Sequence, residues 1–213
     1  MRKFFTIVIG IIILGSLCSC NKEKDYTALI NHYDKVANSE KNFTKSVETI
    51  QNLTSENDKL LDQILKEGTK SNQKLLPLLN KTRNNVNMIQ EQLKEEKNIL
   101  QQSATIQNEY QKYAKKLDTK KLQSDAFKIN ELYEKRYDAF NKYYNQFMNI
   151  TKQENDLINS LSIAKTNIDL ISDQSLSLNS EYSKLNDLIN TFNQLSESYI
   201  DKEMKFIHKL SSN

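Results

Sequence analysis

Residues 133 to 150 read Tyr133-Glu134-Lys135-Arg136-Tyr137-Asp138-Ala139-Phe140-Asn141-Lys142-Tyr143-Tyr144-Asn145-Gln146-Phe147-Met148-Asn149-Ile150. Large apolar residues fall at Tyr133, Phe140, Tyr143, Phe147 and Ile150, and the polar Arg136 fills the missing position of a run spaced alternately by three and four. That spacing holds one stripe on one face of a helix, and it is the spacing of helices that pack side by side along a seam. The stripe extends through Leu122, Ala126 and Ile129 on one side and Leu157, Leu161 and Ala164 on the other, with Glu154 as a second polar interruption.

The same alternation recurs in three other segments. The first carries Tyr26, Leu29, Tyr33, Val36, Phe43, Val47, Ile50, Leu61 and Ile64, with Glu40, Thr54 and Asn57 at seam positions. The second carries Leu75, Leu79, Val86, Ile89, Leu93 and Leu100, then weakens, because Glu96, Ser103 and Gln107 occupy seam positions before Tyr110, Ala114 and Leu117. The last runs from Leu178 to Leu210 and is interrupted by Ser196 and Glu203. These patterns predict helices near residues 25–67, 71–117, 119–164 and 168–211. Asp25 is placed to cap the first, and Gly68 stands where a left-handed residue would end it. Pro77 fits the first turn of the second helix, or kinks that helix if it begins nearer Ser71. The third and fourth seams stay in phase through Ile168, Ile171 and Ser175, so turn chemistry must separate them. Thr166 to Asp169 offers a start resembling a capping box, and Ser172 to Ser180 offers a serine-rich loop; the first is taken as the boundary.

Four long segments joined by short polar turns predict antiparallel neighbours. The expected fold is all-α: an elongated four-helix up-and-down bundle of coiled-coil-like helices over residues 25–213, each helix on the order of 60 to 70 Å long. The competing architecture is a dimeric coiled coil of fewer, longer helices, against which Gly68 and Pro77 argue for at least one reversal.

Composition narrows the function classes. The 213 residues include 3 Gly, 1 Pro, 2 Cys and no Trp, with 30 basic and 27 acidic side chains. Arg2 and Lys3 precede the apolar run from Phe4 to Leu14, which is short for a permanent span of about 20 residues and fits an export signal over residues 1–19. Removing it takes away two basic residues and two of the three glycines, leaving a nearly neutral chain without the glycines of a phosphate-cradling loop. The tetrad Leu17-Cys18-Ser19-Cys20 resembles the lipobox of bacterial lipoproteins. Small Ser19 precedes Cys20, whereas bulky Leu17 precedes Cys18, so Cys20 is the expected acceptor of diacylglycerol, followed by a short linker to residue 24. The alternative is an ordinary cleaved signal with two incidental thiols or a disulfide, and a bridge between residues two apart is geometrically unpromising. Two acyl chains give stable membrane attachment. Acylated Cys20, with Cys18 removed, leaves no thiol for a redox motif or a nucleophile.

Candidate chemistry is sparse, and the reading is of a protein without catalytic, cofactor-binding or metal-binding residues. His32 and His208 lie off the seam, lack the Glu-x-x-His spacing of di-metal bundles and read as solvated surface residues. Glu95 and Glu96 are adjacent, point apart on a helix and read as a solvated face. The serines lack a nucleophile elbow. Tyr137 and Tyr144, seven residues apart, flank the third seam, where they either widen the buried stripe or offer rings to a sugar or a partner helix. Lys115, Lys116, Lys120 and Lys121 crowd the second reversal. The helix dipole accounts for the first two at a helix end, but not for Lys120 and Lys121 at a helix start, which suggests a membrane-proximal basic patch. A nearly neutral exported chain is an unpromising nucleic-acid binder.

The export signal with Leu17-Cys18-Ser19-Cys20, the stretch Leu60-Leu61-Asp62-Gln63-Ile64-Leu65-Lys66-Glu67-Gly68 and the aromatic run from Lys135 to Phe147 together resemble the YkyA-type lipoprotein family, which carries a cell-wall-binding label. The resemblance covers nearly the whole chain and implies a helical bundle on the outer face of a Gram-positive-type membrane, without enzymatic activity. The resulting expectation is a palmitate-bearing surface lipoprotein that binds a cell-envelope component: cell-wall or teichoic polymer, or a surface protein. The alternative is a helical scaffold or chaperone-like adaptor for exported or membrane proteins.

Overall fold

The computed structural model describes residues 24–67, 72–162 and 168–212. It is an all-α bundle whose helices are α1 (Lys24–Glu40), α2 (Phe43–Glu67), α3 (Asn72–Gln107), α4 (Tyr110–Ala114), α5 (Lys120–Ser162) and α6 (Ile168–Ser211). No strand occurs among the described residues.

Two of the four expected segments are interrupted where the seam spacing runs on. The first breaks at residues 41 and 42, beside a Ser39 hydroxyl that donates to the Val36 carbonyl at 2.6 Å and so competes with the backbone ladder. The second breaks at residues 108 and 109, where the Glu109 N–H reaches back three residues to the Ile106 carbonyl, a tighter turn than the α-helical one. Val36, Glu40 and Phe43 still step by four and three, as Gln107, Tyr110 and Ala114 step by three and four, so periodicity could not register either break. α3 begins at Asn72, which puts Pro77 inside the helix at its sixth residue rather than in the first turn. α6 runs through Ser172 to Ser180, so the serine-rich stretch is helix and not loop. Gly68 lies outside the described residues. Thr119 caps α5, its Oγ accepting the Leu122 N–H at 3.2 Å, and the Gln123 amide donates to the Leu117 carbonyl at 2.8 Å, which satisfies a backbone acceptor in the turn between α4 and α5.

The described chain divides into two compact units. The first comprises residues 24–44, 97–141 and 188–212. In it Tyr33 meets Tyr110 and Glu40 meets Ser103, Tyr110 reaches Ala126 and Tyr133 reaches Ser103, and Tyr133 faces Tyr199 as Phe140 faces Phe192. Each of these registers runs in opposite directions, whereas Glu40 with Arg136 and Phe43 with Phe140 rise together. Consecutive helices are therefore antiparallel and α1 lies parallel to α5. Its core is aromatic: Tyr33, Phe43, Tyr110, Tyr133, Phe140, Phe192, Tyr199 and Phe206 are buried.

The second unit comprises residues 45–96, 142–162 and 168–187 among those described. Its neighbours are antiparallel as well, since Ser46 pairs with Gln92 and Glu56 with Asn85, Gln90 with Thr151 and Arg83 with Asn159, and Gln146 with Glu181. Ile64, Leu79, Val86 and Ile158 form an aliphatic core cluster. Burial of side chains of this size stabilises the fold by about 1.5–3 kcal/mol each.

Candidate functional site

One polar interruption from each of the four seams, Glu40, Ser103, Arg136 and Ser196, meets the others in the first unit. Arg136 on α5 donates from Nη1 and Nη2 to the two oxygens of Glu40 on α1, at 2.9 and 2.6 Å. Its Nε donates to Ser196 on α6 at 3.0 Å, and Ser103 on α3 donates to Glu40 at 2.5 Å while accepting the Tyr133 hydroxyl at 2.7 Å. The guanidinium also lies over the rings of Tyr133, Phe192 and Tyr199, 5.5 to 5.9 Å from their centroids. Burial opposes charge on Arg136, but the Glu40 carboxylate outweighs it and holds the guanidinium above its ordinary value. Nearby Glu203 is pushed up to about 8, chiefly by burial. The donors of Arg136, Ser103 and Tyr133 that face the cluster join one helix to another, which makes it a cross-brace between helices.

One face of the same unit is open. A groove of about 340 Å³ lies between the end of α3, with the turn that follows it, and α5. Gln101, Thr105, Gln107, Asn108 and Gln111 line one side, and Asn130, Glu134 and Tyr137 the other, with Ala104 contributing only a methyl group. The α3 break at Asn108 falls on this wall. A chain of hydrogen bonds crosses the groove: the Asn130 amide donates to Glu134 at 2.8 Å, the Gln107 amide donates to Asn130 at 2.9 Å, and His32 approaches the Gln107 carbonyl oxygen at 3.3 Å. An ionised Glu134 can only accept, which fixes both amide orientations in turn and requires the proton of His32 on Nε2. The exposed amides of Gln101, Asn108 and Gln111 surround this fixed chain.

His32 is thus a correction to the sequence reading: it is buried, 3% exposed, among the rings of Tyr33, Tyr110 and Tyr113. Burial lowers its affinity for a proton, so it is neutral near pH 7. Glu96 is a second correction, being fully buried rather than solvated. It accepts the Tyr143 hydroxyl at 3.2 Å, and burial pushes it up to about 8. Both are polar groups turned inward against an aromatic neighbour. His32 lies off the seam, where hydropathy spacing could not register its burial, whereas Glu96 stands at a seam position and its burial follows from the seam itself. His208 is exposed, and its ring nitrogen lies 3.1 Å from Ser212 Oγ. No group of three potential ligand residues gathers as a metal site among the described residues.

The other residues singled out by sequence fall in separate places. Tyr137 is half-buried in the first unit, packs against its aromatic core and lines the groove. Tyr144 is half-buried in the second unit. Lys115, Lys116, Lys120 and Lys121 are all exposed at the reversal between α4 and α5. At that reversal the Tyr26 hydroxyl donates to Asp118 at 2.8 Å, and Lys209 near the end of α6 pairs with Asp125 at 3.0 Å. The start of α1, the reversal and the end of α6 therefore gather at one place within this unit. Cys20 lies outside the described residues. Among those described, no helix is long and apolar enough to cross a membrane. The groove amides escaped the sequence reading, and the signal that could have found them was the weakening of the second seam at Ser103 and Gln107.

The chain is thus an all-α bundle with a polar brace through the aromatic core of its first unit and a polar groove beside it. Residues 24–209 match the YkyA family model, described as "Putative cell-wall binding lipoprotein". The chain belongs to the YkyA family. It is 25% identical over 183 residues to the uncharacterized lipoprotein YkyA of Bacillus subtilis (strain 168), a match that covers 86% of this chain and 82% of the relative. No solved structure matches it. Family membership places the chain among bacterial lipoproteins associated with the cell envelope, and the family's description is of binding rather than of enzymatic activity.

Proposed function

We propose that this chain is a non-enzymatic surface lipoprotein that binds a component of the cell wall, anchored through Cys20 to the outer face of the cytoplasmic membrane of a Gram-positive-type bacterium. The observation that carries the reading is the match of nearly the whole chain to a family described as cell-wall binding. The Leu17-Cys18-Ser19-Cys20 tetrad supports the anchor, because Ser19 is the small residue that lipoprotein processing requires before the acylated cysteine. Residues 21 to 24 separate Cys20 from the rest of α1, and an extended chain covers at most about 3.6 Å per residue, so the start of α1 stays within roughly 20 Å of the anchor. Tyr26 joins that start to the reversal bearing Lys115, Lys116, Lys120 and Lys121. The four lysines are thereby positioned to meet anionic lipid headgroups and to orient the protein. Lys120 and Lys121 open α5, where the helix dipole disfavours positive charge, and a membrane contact supplies the compensation.

The adaptor reading is supported by Leu170 and Leu176, exposed in the second unit and suited to an apolar partner. Sedimentation of the protein with purified wall sacculi separates the two. A wall binder pellets with sacculi, and an adaptor stays in the supernatant. For the anchor, Cys20→Ala should abolish incorporation of labelled palmitate and Cys18→Ala should preserve it; label retained in the Cys20→Ala protein refutes the assignment.

A further inference from the structure

We infer that the groove between α3 and α5 is a binding site for an uncharged, acetamido-bearing glycan strand, with the ring of Tyr137 as its stacking surface and the amides of Asn108, Gln111 and Asn130 as its polar contacts. The inference rests on the cell-wall reading and names the substrate class within it. Three observations carry it.

The groove is polar without being cationic. The residues that line it include no lysine or arginine, and their single formal charge is Glu134, so an anionic polymer would meet repulsion and no counter-charge. Side-chain amides carry a donor and an acceptor together, the combination that sugar hydroxyls and acetamido groups present in return. The volume, about 340 Å³, falls within the range of about 300–1,000 Å³ usual for small-ligand pockets.

The polar floor is also set in advance. Glu134 orients Asn130, Asn130 orients Gln107, and buried His32 closes the chain from behind, so these amides do not need to be ordered by the ligand. Gln107 itself is 3% exposed and serves as a support, whereas Gln111 and Asn108 are exposed and open to a ligand. Finally, Tyr137 is half-buried against the aromatic core, which fixes its ring beside the groove at little entropic cost on binding.

The test uses the full-length protein in a sugar-free detergent and chitotetraose, a soluble tetramer of β-1,4-linked N-acetylglucosamine, as the probe. Calorimetry should show saturable binding that Tyr137→Ala weakens by about tenfold, the equivalent of one lost aromatic contact. Gln111→Ala and Asn108→Ala, at exposed positions that do not threaten folding, should each weaken it about two- to tenfold. Tyr144→Ala should leave it unchanged. Sacculi stripped of teichoic acid should be bound by the wild type and lost in step with the tetramer. Equal binding of stripped sacculi by wild type and groove variants overturns the groove as the site while the cell-wall reading stands. Binding only to sacculi that retain teichoic acid overturns the uncharged-glycan class. Failure of the wild type to bind any wall fraction overturns the cell-wall reading and the inference with it.

Discussion

The two units are built from the same four seams, yet their polar seam residues meet different fates. In the first, Glu40, Ser103, Arg136 and Ser196, one from each expected segment, fall at one level and satisfy one another inside a shell of aromatic rings. In the second, Glu96 is fully buried with a single tyrosine hydroxyl on one oxygen and no hydrogen bond on the other. A polar seam position is therefore neither stabilising nor harmful by itself. What decides is whether the neighbouring helices bring a complementary group to the same height. The brace also supplies register, since a helix that slid by one turn would leave Arg136 buried without its carboxylate.

The sharpest way to break this contrast is to remove one side of the brace. Arg136→Ala should destabilise the protein by about 3–5 kcal/mol in denaturant unfolding, because it strands a buried Glu40, whereas the paired change of Glu40→Leu with Arg136→Met should be near neutral or stabilising. A paired variant as unstable as the single one would show that the brace contributes more than mutual compensation. Truncating the aromatic shell comes next. Phe140→Ala, at a fully buried ring packed against Phe43 and Phe192, should cost about 3–5 kcal/mol, and Ile158→Val in the aliphatic core of the second unit about 0.5–1.5 kcal/mol. Thermal melts would measure both, and a Phe140→Ala loss no larger than that of Ile158→Val would show that the Phe140 ring contributes less packing than its burial implies.

Glu96 sharpens the comparison through pH. Its carboxyl ionises near 4.5 in the unfolded chain and at about 8 in the folded one. Between those values the folded state holds a proton that the unfolded state has released, so stability falls as pH rises through this window and levels off above it. Glu203 in the first unit, also raised to about 8, adds a slope of the same sign. Glu96→Gln should remove its share of the slope and stabilise the protein at pH 8 by about 1–3 kcal/mol, the usual cost of a buried group left unsatisfied. An unaltered dependence of melting temperature on pH in this variant would place the slope elsewhere. The smallest effect on stability belongs to the exposed lysines. Charge reversal at Lys115, Lys116, Lys120 and Lys121 should shift the melt little but abolish salt-sensitive co-sedimentation of non-acylated Cys20→Ala protein with anionic vesicles. Undiminished vesicle binding would reduce these lysines to solvated surface.

The spacing from Tyr133 to Ile150 was enough to establish long helices, their buried faces and the all-α class, because burial of a helix stripe is a local consequence of residue order. Seam membership likewise identified Glu40, Arg136, Ser103 and Ser196 as interruptions. It could not say that they interrupt at one height, nor that off-seam His32 turns inward, nor that Glu96 would meet only one tyrosine hydroxyl, because those facts depend on how far one helix slides past another. The breaks at residues 41–42 and 108–109 were hidden for a related reason: each tight turn preserves the three-four step, and neither contains a glycine or proline. The groove shares this origin, since its walls are 19 or more residues apart in the chain and only packing brings Gln111 and Tyr137 to one cavity. Sequence by itself determined the helices, the faces they bury and the expected lipid anchor at Cys20. The tertiary structure alone decided which polar residues would be partners and which would be left open, because hydrogen bonds and ion pairs between helices require angstrom-scale alignment, whereas hydrophobic burial requires only the right face.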